Sequence, residues 1–299
     1  MIISEAFDGW GNRLIQQCFA RALACKLDYA LTASNIPWVN SLGSFNSTGT
    51  KIDSPEFYVS HKSEMRHQVD MNELMSKAPC KYRIHSYLEH YPNIEEFSEQ
   101  IKADWVVIPN KYKHNQLLDL EHRFKKRVNG KFIPTSVDHL TDKDLVLSIR
   151  LGRDYLKQHK YRLLLGDYFK IVLDNVDYDR LFITSQDPYN TILEDLWRYD
   201  PIFLDHITPI HTLNFVRLFN KIAISQSTYS WWAAYLSDAD EIYFPITKDG
   251  PWSYGPNQRD KWKRYGHDLM VGEDRYKYVS YNSRLIVGDY QTTRGELGM

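Results

Sequence analysis

With 299 residues, 43% hydrophobic and 25% charged, the chain has an ordinary globular balance and enough length for two domains or one large one. Its 37 Lys and Arg against 38 Asp and Glu give a formal net charge of −1, which argues against a general polyanion binder because no cationic surplus remains to coat phosphates. Aromatic residues reach 14%, with 21 Tyr and 8 Trp, most of them expected in or beside a core and the remainder able to stack on sugar rings.

In chain order, residues 1–7 read as a first strand, without the basic start and long apolar stretch of a signal peptide. No later run approaches the ~18 apolar residues of a membrane span. Asp8-Gly9-Trp10-Gly11-Asn12 reads as a turn in which Gly9 and Gly11 allow close backbone approach and Asn12 caps the following helix, residues 12–29. That helix carries Cys18 and Cys25, seven apart and expected on one face; with Cys80 they make three, an odd number without metal-ligand spacing. A reducing compartment, and so a cytoplasmic location, is the expectation.

Residues 31–56, rich in Ser, Thr, Asn and Gly, read as a long loop of the kind that faces substrate. Strands are expected near 80–85 and at Trp105–Ile108, then a helix on Leu117, Leu118, Leu120 and Phe124. Lys125, Lys126 and Arg127 are taken as its solvated end, complementing the helix dipole. Residues 128–144 turn to Gly, Pro, Ser and Asp, the composition of a domain boundary.

Beyond it, short apolar strands are expected at Leu145–Arg150, Leu181–Thr184, Pro201–Leu204, Lys221–Ser225 and Glu241–Phe244, with helices around 162–175, 188–198, 210–220 and 229–237 between them. That alternation indicates a parallel sheet flanked by helices. No internal repeat is visible. The expected architecture is α/β: two Rossmann-like domains, 1–138 and 139–299, facing across a cleft.

Parallel α/β sheets bind ligands outside the carboxyl ends of their strands. Leu145–Ile149 delivers Arg150 to such an end, followed by Gly152, Arg153 and Asp154. A guanidinium there suits a diphosphate, to which it can make paired, charge-assisted hydrogen bonds; an Arg–Asp surface pair is the other reading, and residue chemistry leaves both standing. In Ala223–Tyr235 a strand runs into Ser227, Thr228 and Ser230 and then an apolar helix, so its N-terminus is either a phosphate site or a plain N-cap on a buried helix. Trp231 and Trp232 are expected in the core. The Gly-x-Gly at residues 9–11 lacks the third glycine of the dinucleotide fingerprint.

Taken together, GWGNRLIQQCFARALA, SIRLGRDY, FITSQD and QSTYSWWAA, in this order over residues 9–234, resemble the motif series of the fucosyltransferase superfamily, nearest to the bacterial α-1,2-fucosyltransferases. Residues 31–138 and 250–299 carry no such likeness. Two positions depart from the family: Ser148 stands where its motif has His, and Arg153 is an extra residue between Gly152 and Asp154. The Arg-x-Gly-x-Asp spacing resembles that of the protein O-fucosyltransferases.

The resemblance implies a GT-B type fold and an inverting, metal-independent glycosyltransferase moving fucose from GDP-fucose to a glycan hydroxyl. GDP-sugar would be substrate, and no cofactor, nucleic acid or membrane span is expected. Arg150 would bind the β-phosphate and help GDP leave, with Gly152 and Asp154 in the same motif. Ser227, Thr228 and Ser230 would hold the diphosphate at the helix N-terminus. Asp187 would lie near the nucleoside, and Gly11, Asn12 and Arg13 would line the cleft from the other domain.

Asp8 is the candidate base for the acceptor hydroxyl, ahead of Glu5; a turn residue bonded to its own backbone is its plainer reading. Trp38, Tyr87 and Tyr91 are candidates to stack on the acceptor glycan. His139, His159, His206 and His211 are scattered, and Asp238 and Asp240 are expected in solvent, so no metal cluster is expected. Another GDP-sugar or nucleotide-sugar, or an inactive carbohydrate-binding relative, are the competing readings.

Overall fold

The computed structural model of the chain describes residues 2–4, 10–33, 56–60, 71–79, 81–85, 88, 91–105, 120–152, 167–205, 208–247, 250–251, 268–280, 287–288 and 290–297. The chain divides into two compact units, Met1–Val107 with Asp260–Met270, and Ile108–Arg259 with Val271–Met299.

In the first unit, strands β1 (Ile2–Ser4), β2 (Leu31–Ala33), β3 (Glu56–Ser60) and β4 (Lys81–His85) form a parallel sheet in the order β2-β1-β4-β3. Parallel neighbours require a crossover, and helix Trp10–Leu27 supplies it between β1 and β2. Leu14, Ile15, Cys18, Phe19, Ala22 and Leu23 are buried on it at helical spacing.

Several expectations for this unit need correction. The helix starts at Trp10, so Gly11 and Asn12 lie inside its first turn and Asn12 is not its cap. Cys18 is buried but Cys25, in the last helical turn beside exposed Lys26, is exposed, so the two do not share a buried face. The expected loop over 31–56 begins with β2 and ends with the first residue of β3, because pairing to β1 and β4 overrides weak local preference; residues 34–55 lie outside the described residues. Trp105 ends helix Ser98–Trp105 rather than opening a strand.

The second unit holds a sheet of ten strands among the described residues. They are β5 (Phe124–Val128), β6 (Lys131–Pro134), β7 (Leu145–Ile149), β8 (Leu181–Ser185), β9 (Ile202–Leu204), β10 (Lys221–Ile224), β11 (Glu241–Thr247), β12 (Gly250–Pro251), β13 (Tyr276–Ser280) and β14 (Val287–Gly288). Six of them, in the spatial order β9-β8-β7-β10-β11-β13, are mutually parallel. Counted along the chain this is 3-2-1-4-5-6, the order of the Rossmann fold. The expected class, α/β with Rossmann-like domains, is therefore what the chain adopts.

Alternation along β7 explains how the sheet is covered. Leu145, Leu147 and Ile149 point into a core shared with Tyr168, Phe169, Val172 and Leu173 of helix Asp167–Asn175. The opposite face meets two other helices: the Phe182 ring lies 6.1 Å from Phe215 of helix Pro209–Val216, and Ser148 reaches Ser230 of helix Thr228–Tyr235. With both faces covered, all five residues of β7 are buried, which is why the strand reads as a continuous apolar run.

Residues 124–134 are the largest departure from the sequence reading. Phe124 begins β5 rather than ending a helix, and Lys125, Lys126 and Arg127 are strand residues rather than a helix end. β5 pairs antiparallel with β9 and with β6, so the hairpin extends the second sheet, although it precedes the expected boundary at 138/139. Its Asn129 and Gly130 have φ of +48° and +79°. Both positive angles suit the two-residue turn that Asn-Gly favours, so a composition that suggested a linker encodes a hairpin. Phe132 anchors it, with ring centroids 4.3 Å from Tyr189 and 5.2 Å from Phe203.

Candidate functional site

In the order 3-2-1-4-5-6 the chain changes direction between the first and fourth strands, here β7 and β10, and the crevice beyond their carboxyl ends is where Rossmann sheets receive ligands. β7 ends at Ile149 and Arg150 is the next residue; β10 ends at Ile224 and Ser225–Ser227 lead into helix Thr228–Tyr235. Topology thus brings two motifs 75 residues apart to one spot.

Hydroxyl groups join them. The Arg150 backbone N–H donates to Ser225 Oγ at 2.9 Å, and the Ser225 N–H donates to the Ser148 carbonyl at 2.9 Å. Ser148 Oγ and Ser230 Oγ are 2.9 Å apart, and Ser230 Oγ lies 3.3 Å from the Ser148 carbonyl. Ser148, Ser225 and Ser230 are 3%, 6% and 2% exposed, so these polar atoms are satisfied by one another in a nearly dry setting. Ser227 occupies the N-cap position with extended backbone, yet its side chain makes no capping bond. The plain N-cap expected of it is not formed.

The helix that starts here is fixed by its surroundings. Every residue from Ser230 to Tyr235 is buried, and Trp231 stacks on Tyr235 at 4.7 Å. Trp231 and Trp232 are core residues, as expected. Its C-terminal end is met by two guanidinium groups. Arg217 Nε donates to the Leu236 carbonyl at 2.9 Å, while Arg275 Nη1 and Nη2 donate to those of Ser237 at 2.5 Å and Tyr235 at 3.0 Å. Burial lowers the Arg217 pKa to about 10, with Asp238 acting in the opposite sense. Cations at this end complement the helix dipole, whose opposite, positive end lies at Thr228.

Tyr229 ties the same turn to a second helix. Its hydroxyl donates to the Pro209 carbonyl, at the first residue of helix Pro209–Val216, where the Thr208 side chain caps by accepting from the His211 N–H. Burial pushes the Tyr229 phenol up; hydrogen bonding with Thr212 and Leu213 and the positive charge of Arg150 act against that.

The other expected residues divide clearly. Gly152 is buried two residues after Arg150. Asp187 is exposed beyond β8, the strand beside β7; its N–H donates to Ser185 Oγ at 3.3 Å and a carboxylate oxygen accepts from Asn190 Nδ2 at 3.0 Å, a turn leading into the 3₁₀ helix Thr191–Tyr199. Gly11, Asn12 and Arg13 belong to the first unit, Gly11 buried and the other two half-buried. Asp8, Glu5, Asp154, Trp38 and Tyr87 lie outside the described residues. Tyr91 is described and buried, its N–H donating to the Asp268 carbonyl, so it is not an open platform for a glycan. Asp238 and Asp240 are exposed, and among the described residues no group of three or more His, Cys, Asp or Glu could hold a metal ion. No described helix is long and apolar enough to cross a membrane.

Ser225 and Tyr229 were not singled out by the sequence. Both lie inside the segment ISQSTYSWW, but nothing in its spacing tells which hydroxyls tie strands and helices together.

No family model matches the chain, and no curated protein sequence matches it. Among solved structures it is similar to NodZ α-1,6-fucosyltransferase soaked with GDP-fucose, at 10% identity and a TM-score of 0.44, covering 81% of this chain and 93% of that one. A mutant of Arabidopsis thaliana FUT1 in complex with GDP follows at 11% and 0.42, covering 81% and 70%. The E. coli ADP-heptose LPS heptosyltransferase II gives 11% and 0.42, covering 99% and 96%. At these identities and TM-scores, none of the three bears on the chemistry of this chain.

Proposed function

We propose that the chain is a glycosyltransferase of GT-B type that transfers a sugar from a GDP-sugar, GDP-fucose by its motif series, to a glycan hydroxyl with inversion and without a metal. The observation that carries this reading is the join at the switch point, where the Arg150 backbone and a helix whose N-cap residue Ser227 makes no side-chain capping bond meet through buried hydroxyls. Backbone N–H groups at such a terminus favour anions, and a guanidinium beside them can pair with diphosphate oxygens.

In this mechanism the acceptor oxygen attacks the anomeric carbon as the bond to the β-phosphate oxygen breaks. Negative charge grows on the departing GDP, and Arg150 with the helix N-terminus offsets it without rearranging. Ser227 and Thr228 hold the diphosphate, Ser230 secures the helix to β7, and Gly152 and Asp154 serve the donor with Arg150. Asp187 is assigned to the nucleoside, and Gly11, Asn12 and Arg13 to the donor. The acceptor proton passes to Asp8. No cofactor takes part.

Ser148 sharpens the choice of sugar. Its hydroxyl is buried and bonded to Ser230, so in this chain the position of the family's His serves the helix–strand join. Another GDP-sugar is the second reading. Calorimetry with GDP, UDP and ADP, followed by assay of GDP release from GDP-fucose and other GDP-sugars, tests both. Preference for UDP or ADP would overturn the donor assignment, and tight GDP binding without turnover of any GDP-sugar would point to a binding protein.

A further inference from the structure

We propose that Ser225 is the positioning residue of the Arg150 turn, its hydroxyl standing in for a main-chain carbonyl where the β7–β10 ladder ends. The inference rests on the reading that Arg150 meets a diphosphate. The last paired residues are Ser148 and Ile224. In a parallel ladder a residue accepts from the neighbour strand one position on, and the residue two further along donates to that same neighbour's carbonyl. The first half of this pattern is present, since the Ser225 N–H donates to the Ser148 carbonyl at 2.9 Å.

The second half would place the Arg150 N–H on the Ser225 carbonyl. That carbonyl instead accepts from the Ser227 N–H at 2.8 Å, which starts the turn into the helix. Ser225 Oγ takes its place at 2.9 Å from the Arg150 nitrogen. One residue thereby lets β10 leave the sheet while β7 keeps its last rung. The backbone of Arg150, and with it the origin of the guanidinium, is held where the strands part. Alanine at 225 leaves a part-buried N–H without its acceptor and frees the turn.

The test uses the full chain and two assays, GDP release from GDP-fucose and calorimetry with GDP. Ser225→Ala should lower kcat by on the order of tenfold while GDP affinity changes by less than about threefold, because misplacement matters most as charge develops. Ser225→Thr, which keeps the hydroxyl, should stay within about threefold of the parent. Ser225→Cys, which fills the same space with a weak acceptor, should behave like Ala and serves if Ala fails to fold. In an Arg150→Ala background, Ser225→Ala should add no further loss, since a residue acting through Arg150 has nothing left to position. Losses that multiply in the double variant, or full activity in Ser225→Ala and Ser225→Cys, would overturn the inference alone. A parent chain that neither binds GDP nor releases it from any GDP-sugar would overturn the functional reading and the inference with it.

Discussion

Two arginines lie at opposite ends of the paired strands β7 and β8, and the bonds that fix them differ. At their start, Arg180 donates from Nε and Nη2 to the two carboxylate oxygens of Asp144 at 2.9 and 2.6 Å, and from Nη2 to the His139 carbonyl at 2.7 Å. The Thr141 N–H adds a third bond to that carboxylate at 2.7 Å. Asp144 is fully buried, and the pairing raises the Arg180 pKa. At the far end, the Arg150 backbone N–H is held by the Ser225 hydroxyl, beside the turn that leads into helix Thr228–Tyr235. Side-chain type is the same at both ends; Arg180 is fixed through its guanidinium, whereas a hydroxyl holds the backbone of Arg150. In a Rossmann sheet the carboxyl ends are the ones that open on a crevice.

The comparison can be broken most decisively at Arg150. Arg150→Ala should lower the rate of GDP release by on the order of a hundredfold or more, the cost of removing one transition-state contact of about 3 kcal/mol, with unchanged circular dichroism and melting. Near-normal turnover in that variant would remove Arg150 from the site.

Arg180→Ala should show the opposite pattern. It leaves the buried Asp144 carboxylate with one backbone donor, which should lower unfolding free energy by about 3 kcal/mol in a denaturant titration, while turnover per folded molecule stays near that of the parent. An activity loss as deep as that of Arg150→Ala, without loss of stability, would erase the distinction between the two ends.

A smaller effect is expected at Tyr229. Tyr229→Phe removes the donor to the Pro209 carbonyl and should cost about 1 kcal/mol of stability, with a reduction of a few fold in kcat and little change in KM. A variant with parent stability would show that this bond does not hold the helix start in place.

The mildest test is alkaline pH. Burial raises the phenols of Tyr168, Tyr189, Tyr229 and Tyr243 above the ordinary 10.0, Tyr229 by the Arg150 end and Tyr243 beside Glu241. A raised folded pKa means the unfolded chain gives up the proton first, so stability present below pH 10 is lost as pH rises beyond it. Arg217, lowered to about 10, works the other way in the same range, but one group opposes four. The melting temperature should therefore fall between pH 9 and pH 11, and Tyr229→Phe should soften that fall. A Tm that holds or rises over this interval would contradict the burial of these phenols.

Much of the second unit was legible in the sequence. The expected strands at Leu145–Arg150, Leu181–Thr184, Lys221–Ser225 and Glu241–Phe244 each begin where β7, β8, β10 and β11 begin, because strands buried on both faces appear as unbroken apolar runs between turn residues. Helix Thr228–Tyr235 was equally plain, its apolar run starting at a Ser-Thr pair. Residues 124–134 were not, since Leu120 and Phe124 fall at helical spacing while the Asn-Gly that closes the hairpin also suits a linker. Only pairing with β9 decides between them. Motif order pointed to Arg150 and Ser227 as candidates, whereas Ser225 could not be singled out, since its use depends on where two strands part.

By itself the sequence determined which segments are buried strands, that the second unit alternates strand and helix, and that a guanidinium and a cluster of hydroxyls follow two of those strands. Tertiary structure alone decided that these two strands are neighbours at the 1–4 position of the sheet. It also decided that Ser148 and Ser230 satisfy each other, and that Asp144 pairs with Arg180 while Ser225 holds the Arg150 backbone. The physical reason is one of range. Burial and turn preference are set by neighbours along the chain, whereas the partner of a polar group is set by which strands lie side by side, and those are 75 residues apart.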